Sequence, residues 1–225
     1  MKKLIGYALL FSIVGCSKDL STKSLSANNT SEAVTSISST YMPLTKGTYW
    51  KYNSVTESGG TSTAEKYTSK VIAKKSTING KLYTATTVTS NSGTDTAYYS
   101  QQSHDYFQYS NLNVSGVGLV AIEVLFLKDN AAKGATWSAQ AATIYGIPVT
   151  ATGKIIKKNY NQTVHGQTYA NVIHTQVSLD ALYIGHIGTI DYYVAQGLGI
   201  INTVANITYG TPYTNTVSLL SYHIN

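Results

Sequence analysis

From Tyr41 onward the chain alternates apolar and polar residues in short runs rich in Tyr, Thr, Val and Ile, interrupted by clusters of Gly, Asn, Asp and Ser. Side chains that alternate with a period of two point to opposite faces of a strand, so the pattern predicts β-structure. Strands are expected near residues 48–56, 63–74, 81–90, 95–102, 104–110, 117–127, 135–145, 147–158, 167–179, 184–194, 198–208 and 214–224. Turn signals fall between many of them: Ser58-Gly59-Gly60, Asn79-Gly80, Asn91-Ser92-Gly93, Asp129-Asn130 and His165-Gly166. No window sustains a helical period, and almost no helix is expected. Trp50 and Tyr52 are predicted on one face, with Tyr49, Lys51 and Asn53 on the other; Leu82 and Val88 are likewise set against Lys81 and Tyr83. The run from Val117 to Leu127 is apolar on both faces except at Glu123, which predicts a central strand covered on both sides.

The pattern also repeats. Lys46-Gly47-Thr48-Tyr49-Trp50 returns 87 residues later as Lys133-Gly134-Ala135-Thr136-Trp137, and these hold the only two Trp of the chain. Lys74-Lys75 returns as Lys157-Lys158, Asn79-Gly80-Lys81-Leu82-Tyr83 as His165-Gly166-Gln167-Thr168-Tyr169, and Asp105-Tyr106-Phe107 as Asp191-Tyr192-Tyr193. Gly116-Val117-Gly118-Leu119-Val120 matches Gly197-Leu198-Gly199-Ile200-Ile201. Five markers kept in order predict two related units, roughly 44–125 and 131–208, within one β domain of residues 41–225. Each unit is too small for a good core alone, so one shared core is expected. The predicted fold class is all-β: an antiparallel curved sheet, as a half-barrel or a sandwich. The Gly-x-Gly pairs open no helix, as a dinucleotide site requires, and suit a bulge or sharp bend instead.

Ahead of this domain the texture differs. Lys2 and Lys3 precede an apolar stretch, Leu4 to Val14, that is far shorter than the ~20 residues needed to span a bilayer, so residues 1–15 read as a removable signal peptide. Its close, Ile13-Val14-Gly15-Cys16, resembles the lipobox of bacterial lipoproteins. That resemblance implies a diacylglyceryl group on the Cys16 thiol, cleavage before Cys16, and acylation of the freed amine. Cys16 is the only Cys in the chain, and a lone thiol in an exported protein otherwise invites unwanted pairing. Residues 17–40 are dominated by Ser, Thr, Asn and Ala without an aromatic residue, the composition of a flexible tether. Such a segment reaches at most ~80 Å and averages roughly 25–30 Å as a coil. No other segment is long and apolar enough to cross a membrane as a helix, so the lipid on Cys16 is the expected membrane attachment.

The formal charge of +6 falls to +4 without Lys2 and Lys3, and all sixteen cations are Lys. With no Arg to supply bidentate contacts, a nucleic-acid partner is not expected. Five His are present, but neighbours such as His104-Asp105 point to opposite faces of a strand and form no relay. No helical His pair, paired Cys, acidic calcium loop or Gly-x-Ser-x-Gly is found, so no metal, no cofactor and no catalytic residue is predicted. Nineteen Tyr against three Phe suit half-buried strands, whose rings pack while the hydroxyls stay wet. They also suit a binding surface, for which Tyr98, Tyr99, Tyr106, Tyr109, Tyr192 and Tyr193 are the candidate ligand contacts.

Gly-x-x-Trp near the start of each unit and Tyr193-Val194-Ala195-Gln196-Gly197-Leu198-Gly199-Ile200 near the end resemble uncharacterised lipoproteins and secreted proteins of Bacteroidota. Asp95-Thr96-Ala97 is similar to the short O-glycosylation sequon of that group, which makes Thr96 a candidate modification site. More distantly, an all-β lipoprotein of this size resembles the half-barrel superfamily that carries lipids and lipoproteins across the periplasm. Together these imply a monomeric, non-enzymatic cell-envelope lipoprotein, at the outer membrane, that binds or carries an apolar or amphipathic ligand. A carbohydrate-binding or adhesive surface module is the alternative. Metabolic labelling with a fatty-acid probe tests the anchor: the chain is expected to be labelled, and Cys16→Ser to abolish labelling and release it from the membrane fraction.

Overall fold

The computed structural model describes residues 39–114 and 118–225, with side chains outside 112–118. Cys16, nearly all of the tether, Gly116 and Val117 lie outside the described residues. Twelve strands follow one another: β1 (Tyr49–Ser58), β2 (Thr61–Ile78), β3 (Lys81–Ser90), β4 (Gly93–Gln102), β5 (Asp105–Val114), β6 (Gly118–Lys128), β7 (Thr136–Ile144), β8 (Ile147–Val164), β9 (Gln167–Ala181), β10 (Gly185–Ala195), β11 (Gly199–Ile207) and β12 (Tyr213–His223). All pair antiparallel in one sheet, in the order β6-β5-β4-β3-β2-β1-β12-β11-β10-β9-β8-β7. The chain therefore enters mid-sheet, meanders to one edge at β6, crosses to the other edge at β7, and meanders back until β12 pairs with β1. The described residues contain no helix.

The sheet curls until its two edges meet, giving a nearly closed, barrel-like roll. No ladder joins β6 to β7 among the described residues. A side chain closes this seam: the Trp137 indole N–H donates to the Leu125 carbonyl at 3.0 Å. Trp137 lies flat against Gly153, its partner on β8, where an added Cβ would come within 2.3 Å of the ring. The other Trp reaches across in the opposite sense, since Trp50 of β1 donates to the Leu198 carbonyl ahead of β11 at 2.6 Å.

β2 and β8 are each 18 residues long, well past their expected ends, and both lose register partway. β2 slips between Val71 and Lys75, and β8 slips repeatedly from Ile155 to Gln162. A turn locks the same point on each strand. Gly47 N–H donates to the Val71 carbonyl at 3.1 Å and Gly134 N–H to that of Ile155 at 2.8 Å, both glycines at positive φ. Val71 N–H returns to Thr48 and Ile155 N–H to Ala135, at 2.8 and 3.0 Å. Two other sequence matches fall elsewhere: Asp105 opens β5 while Asp191 lies inside β10, and Gly118 opens β6 while Gly199 opens β11. Short strand-and-turn motifs resemble one another wherever the same local chemistry recurs.

The main cluster of buried side chains draws on both halves of the chain and includes Trp50, Tyr52, Val71, Tyr99, Phe126, Ile155, Val177, Tyr192 and Leu219. Trp50 and Tyr52 point inward and Lys51 outward, as their alternation requires. On β3 the expected alternation holds and both faces are covered: on the Leu82 face Thr86 is buried and Val88 meets the main cluster, and Tyr83 is buried on the other face, while Leu82 itself is exposed. Tyr83 packs with Phe107 and Leu125 in a second, smaller cluster on the reverse side of β6 from Val124 and Phe126, and Trp137 touches both clusters. This also corrects the placing of Val117 to Leu127 at the sheet centre. β6 is an edge strand, and it is apolar on both faces because the opposite end of the sheet and the smaller cluster cover Val124 to Leu127 from two sides. Glu123 is tolerated there by partners, with Lys81 Nζ at 2.7 Å and Asn79 Nδ2 at 3.0 Å.

Gly153→Ala is expected to destabilise the fold by about 1–3 kcal/mol, since the new methyl displaces the Trp137 ring. Urea unfolding followed by Trp fluorescence measures this, and an unchanged midpoint would show that the seam does not depend on the indole.

Candidate functional site

The inside of the roll is filled. Tyr52, Tyr99, Tyr169 and Tyr192 are buried there, Tyr67 leans on Tyr52 with centroids 5.2 Å apart, and Phe126 stacks on Tyr192 at 5.2 Å. Two Tyr hydroxyls of this interior have partners, since Tyr52 donates to the Ile200 carbonyl at 2.8 Å and Gln108 donates to Tyr99 at 3.3 Å, whereas the buried hydroxyls of Ser69 and Thr175 have none. Burial raises the pKa of Tyr52, Tyr67, Tyr99 and Tyr192 well beyond the ordinary range. The six candidate contact tyrosines thus separate. Tyr99, Tyr106 and Tyr192 belong to the core, whereas Tyr98, Tyr109 and Tyr193 are half-buried. Tyr98 and Tyr109 meet edge to face at 5.9 Å, and Tyr193 stacks on His174 at 4.3 Å, which occupies one face of its ring. Thr96 is half-buried on β4 opposite Thr87, with its own N–H held by Asp95 Oδ1 at 2.6 Å.

Three His pair with carboxylates of neighbouring strands or turns. His174 Nε2 lies 2.7 Å from Asp191 Oδ1 on the outer side of β9 and β10, with Gln176 also donating to Asp191 at 3.2 Å. His186 Nδ1 lies 3.3 Å from Asp180 Oδ1 and 3.2 Å from Ser178 Oγ. Serine and carboxylate compete here for the same ring nitrogen, whereas a nucleophile relay needs one on each nitrogen. His104 Nδ1 contacts Asp129 Oδ1 at 2.5 Å, and Tyr106 donates to the other oxygen at 2.8 Å.

Asp129 belongs to the end of the roll where the N-terminal segment enters. The Thr40 carbonyl accepts from Gly197 N–H at 2.8 Å and its hydroxyl donates to Gln101 at 2.7 Å, while Tyr41 N–H donates to the Tyr106 hydroxyl at 3.2 Å. Tyr41 and Met42 are buried, and Lys158 Nζ ties the carbonyls of Asp129 and Ala131 at 2.7 and 2.8 Å. The C-terminal residue closes the same end, with Asn225 N–H on Thr48 Oγ1 at 3.1 Å. This proximal end is polar, charged and stitched.

The distal end is different. Six of its large apolar side chains are exposed: Leu119 at the start of β6, Tyr145 between β7 and β8, Leu182, Tyr183 and Ile184 between β9 and β10, and Tyr209 between β11 and β12. They form a continuous half-rim. Leu182 N–H bonds the Pro148 carbonyl and Thr208 N–H that of Ile187, each at 3.0 Å, and Leu119 and Thr143 line one groove across the seam. The three turns carry no Asp, Glu, Lys or Arg. Tyr145 and Tyr183 adopt left-handed backbone, at φ 52° and 66°, and the other non-glycine residues so placed among the described residues are Asn, Ser and His. A bulky side chain in that region is uncommon, so these two turns present rings where Gly or Asn would fit more easily. Two other distal hairpins among the described residues, around Gly59-Gly60 and Asn91-Ser92, are small and polar beside Glu57, Glu65 and Asp95. A groove of about 610 Å³ lies between Glu57–Ser62 and the β11–β12 turn.

No family model and no curated protein matches the chain. Solved structures do. A candidate lipoprotein of Parabacteroides distasonis superposes with a TM-score of 0.50 at 14% identity, over 83% of this chain and 99% of that one. The two share a fold. A candidate exported protein of Bacteroides fragilis with a YmcC-like fold aligns at 0.46 and 9% identity, over 80% and 97% of the two chains. A LolA-superfamily protein of Nitrosomonas europaea aligns at 0.35 and 7% identity, over 80% and 86%.

Reading the sequence alone misses the distal rim. Its signal is present, because Tyr145-Gly146 and Leu182-Tyr183-Ile184 put large apolar residues in turns where small polar ones are usual. The His–carboxylate pairs have no such signal, since they depend on strand register. Loss of surrounding water pushes the hydroxyls of Tyr106, Tyr160 and Tyr169 up to about 12. An unfolded Tyr ionises near pH ~10, so their contribution is whole below pH ~10 and is lost as pH rises through the folded value of about 12. An alkaline titration at 295 nm is expected to show the exposed tyrosines first and the buried set only with a cooperative loss of the β circular-dichroism signal. Titration of all tyrosines near pH ~10 with the fold intact would contradict the packed interior.

Proposed function

We propose that the chain is a non-enzymatic cell-envelope lipoprotein, held by lipid on Cys16, that binds an apolar or amphipathic ligand at the distal end of its roll. The observation that carries this reading is the contrast between the two ends. Charge and stitching gather where the tether enters, and uncharged turns bearing Tyr, Leu and Ile gather opposite. Exposed apolar patches on a soluble domain mark places where something else binds. The filled interior leaves the rim and its groove, rather than a central cavity, to meet that ligand. Support for the envelope comes from the lipobox-like Ile13-Val14-Gly15-Cys16 and from a shared fold with a candidate lipoprotein. An outer-membrane position belongs to the same proposal.

One observation favours the adhesive or carbohydrate-binding reading: Tyr183 is 93% exposed, so its ring is open to stacking. Native mass spectrometry of the mature chain carrying Cys16→Ser, titrated with monomeric lysophospholipid, separates the two. Bound lysophospholipid is expected, with at least tenfold weaker binding when Tyr183 and Leu182 are both replaced by Ser. An empty protein that is retained on a glycan array would overturn the first reading in favour of the second.

A further inference from the structure

We propose that the distal half-rim seats on a phospholipid bilayer, and that this bilayer is a different one from the membrane holding the tether. The inference rests on the ligand class above and extends it from a single amphiphile to a lipid surface.

The shape of the rim fits a fluid interface. Tyr145, Tyr183 and Tyr209 lie exposed on three successive turns, with Leu182 and Ile184 flanking the middle one. Exposed rings spread over three turns suit a deformable layer that closes around each of them. Tyr is favoured at the membrane interface because its ring enters the acyl boundary while its hydroxyl stays among the headgroups, and Leu and Ile add apolar area below it. Charge agrees with this, since the three turns hold no Asp, Glu, Lys or Arg that would lose water on contact. The backbone agrees independently, as two of these Tyr occupy left-handed positions that stability alone would give to Gly or Asn.

The position of Thr40 in the fold bears on which membrane this is. Thr40 is bonded to Gly197 and Gln101 at the proximal end, so the chain enters the domain at the pole away from the rim. Strand β6, with 11 residues, spans ~35 Å between the ends at the usual rise per residue. A chain attached at the proximal end thus joins the domain at the pole opposite the rim, which leaves the rim free to meet a second surface.

The test uses the full lipidated chain in donor vesicles of phosphatidylethanolamine and phosphatidylglycerol, mixed with labelled, protein-free acceptor vesicles of the same composition. Wild type is expected to capture acceptors, and the variant Tyr145→Ser, Leu182→Ser, Tyr183→Ser, Tyr209→Ser to lose at least tenfold of that capture with an unchanged melting curve. Tyr183→Ser alone, at the most exposed tip, should lose several-fold and guards against a folding defect. Equal capture by wild type and variants, or none by wild type, overturns the inference. So does capture only of acceptors carrying envelope proteins, or a rim-dependent dimer, because the occupant is then a protein or a second copy. If lysophospholipid still binds while acceptor vesicles do not, this inference falls and the ligand reading stands.

Discussion

Two indole hydrogen bonds hold this sheet in its roll, and they run in opposite directions between the halves of the chain. Trp50, at the head of the first six strands, reaches a carbonyl of the second six; Trp137, at the head of the second six, reaches a carbonyl of the first. A sheet this curved without a ladder across its seam leaves edge groups that other chains could pair with. Trp137 blunts that hazard with one ring, and the missing Cβ of Gly153 lets it lie flat. The seam is thus sealed by packing rather than by pairing.

Filling the roll sets the second constraint. Aliphatic residues line much of the wall, but the centre is taken by Tyr and Phe rings, whose length bridges a wide interior. Tyr serves here because its hydroxyl can bond a carbonyl or an amide at the far wall, as Tyr52 does with Ile200. The abundance of Tyr is in good part structural. That shifts attention from the barrel lumen to its ends, where one is tied shut by Tyr41, Met42, Asp129 and Asn225 and the other bears an apolar half-rim.

Much of the architecture is legible in the sequence because alternation and turn chemistry are local. All twelve strands are foreshadowed by their periodicity, and the alternation places Trp50 and Tyr52 on the correct face. Sheet order is not local. β6 is apolar on both faces for a reason that its sequence shares with a central strand, so periodicity hides its edge position. Bulges do similar damage: the register losses after Val71 and Ile155 lengthen β2 and β8 beyond what alternation suggests. Tyr99, Tyr106 and Tyr192 resemble surface candidates because an apolar body with a polar tip suits either side of a strand equally well. His174 and Asp191 meet diagonally across a strand pair, a contact fixed by register alone.

The two ends of the domain lie side by side, and this bears on how the fold is written. Asn225 bonds Lys46 and Thr48, and β12 already pairs with β1. If the ends were joined there and the chain opened at Lys133 instead, every strand would follow its spatial neighbour, from β7 through β12 and then β1 through β6. The circular permutant is a plain meander whose first and last strands flank the seam. The present starting point is thus one choice among permutations, and it is the choice that puts Thr40 and Tyr41 at the stitched pole.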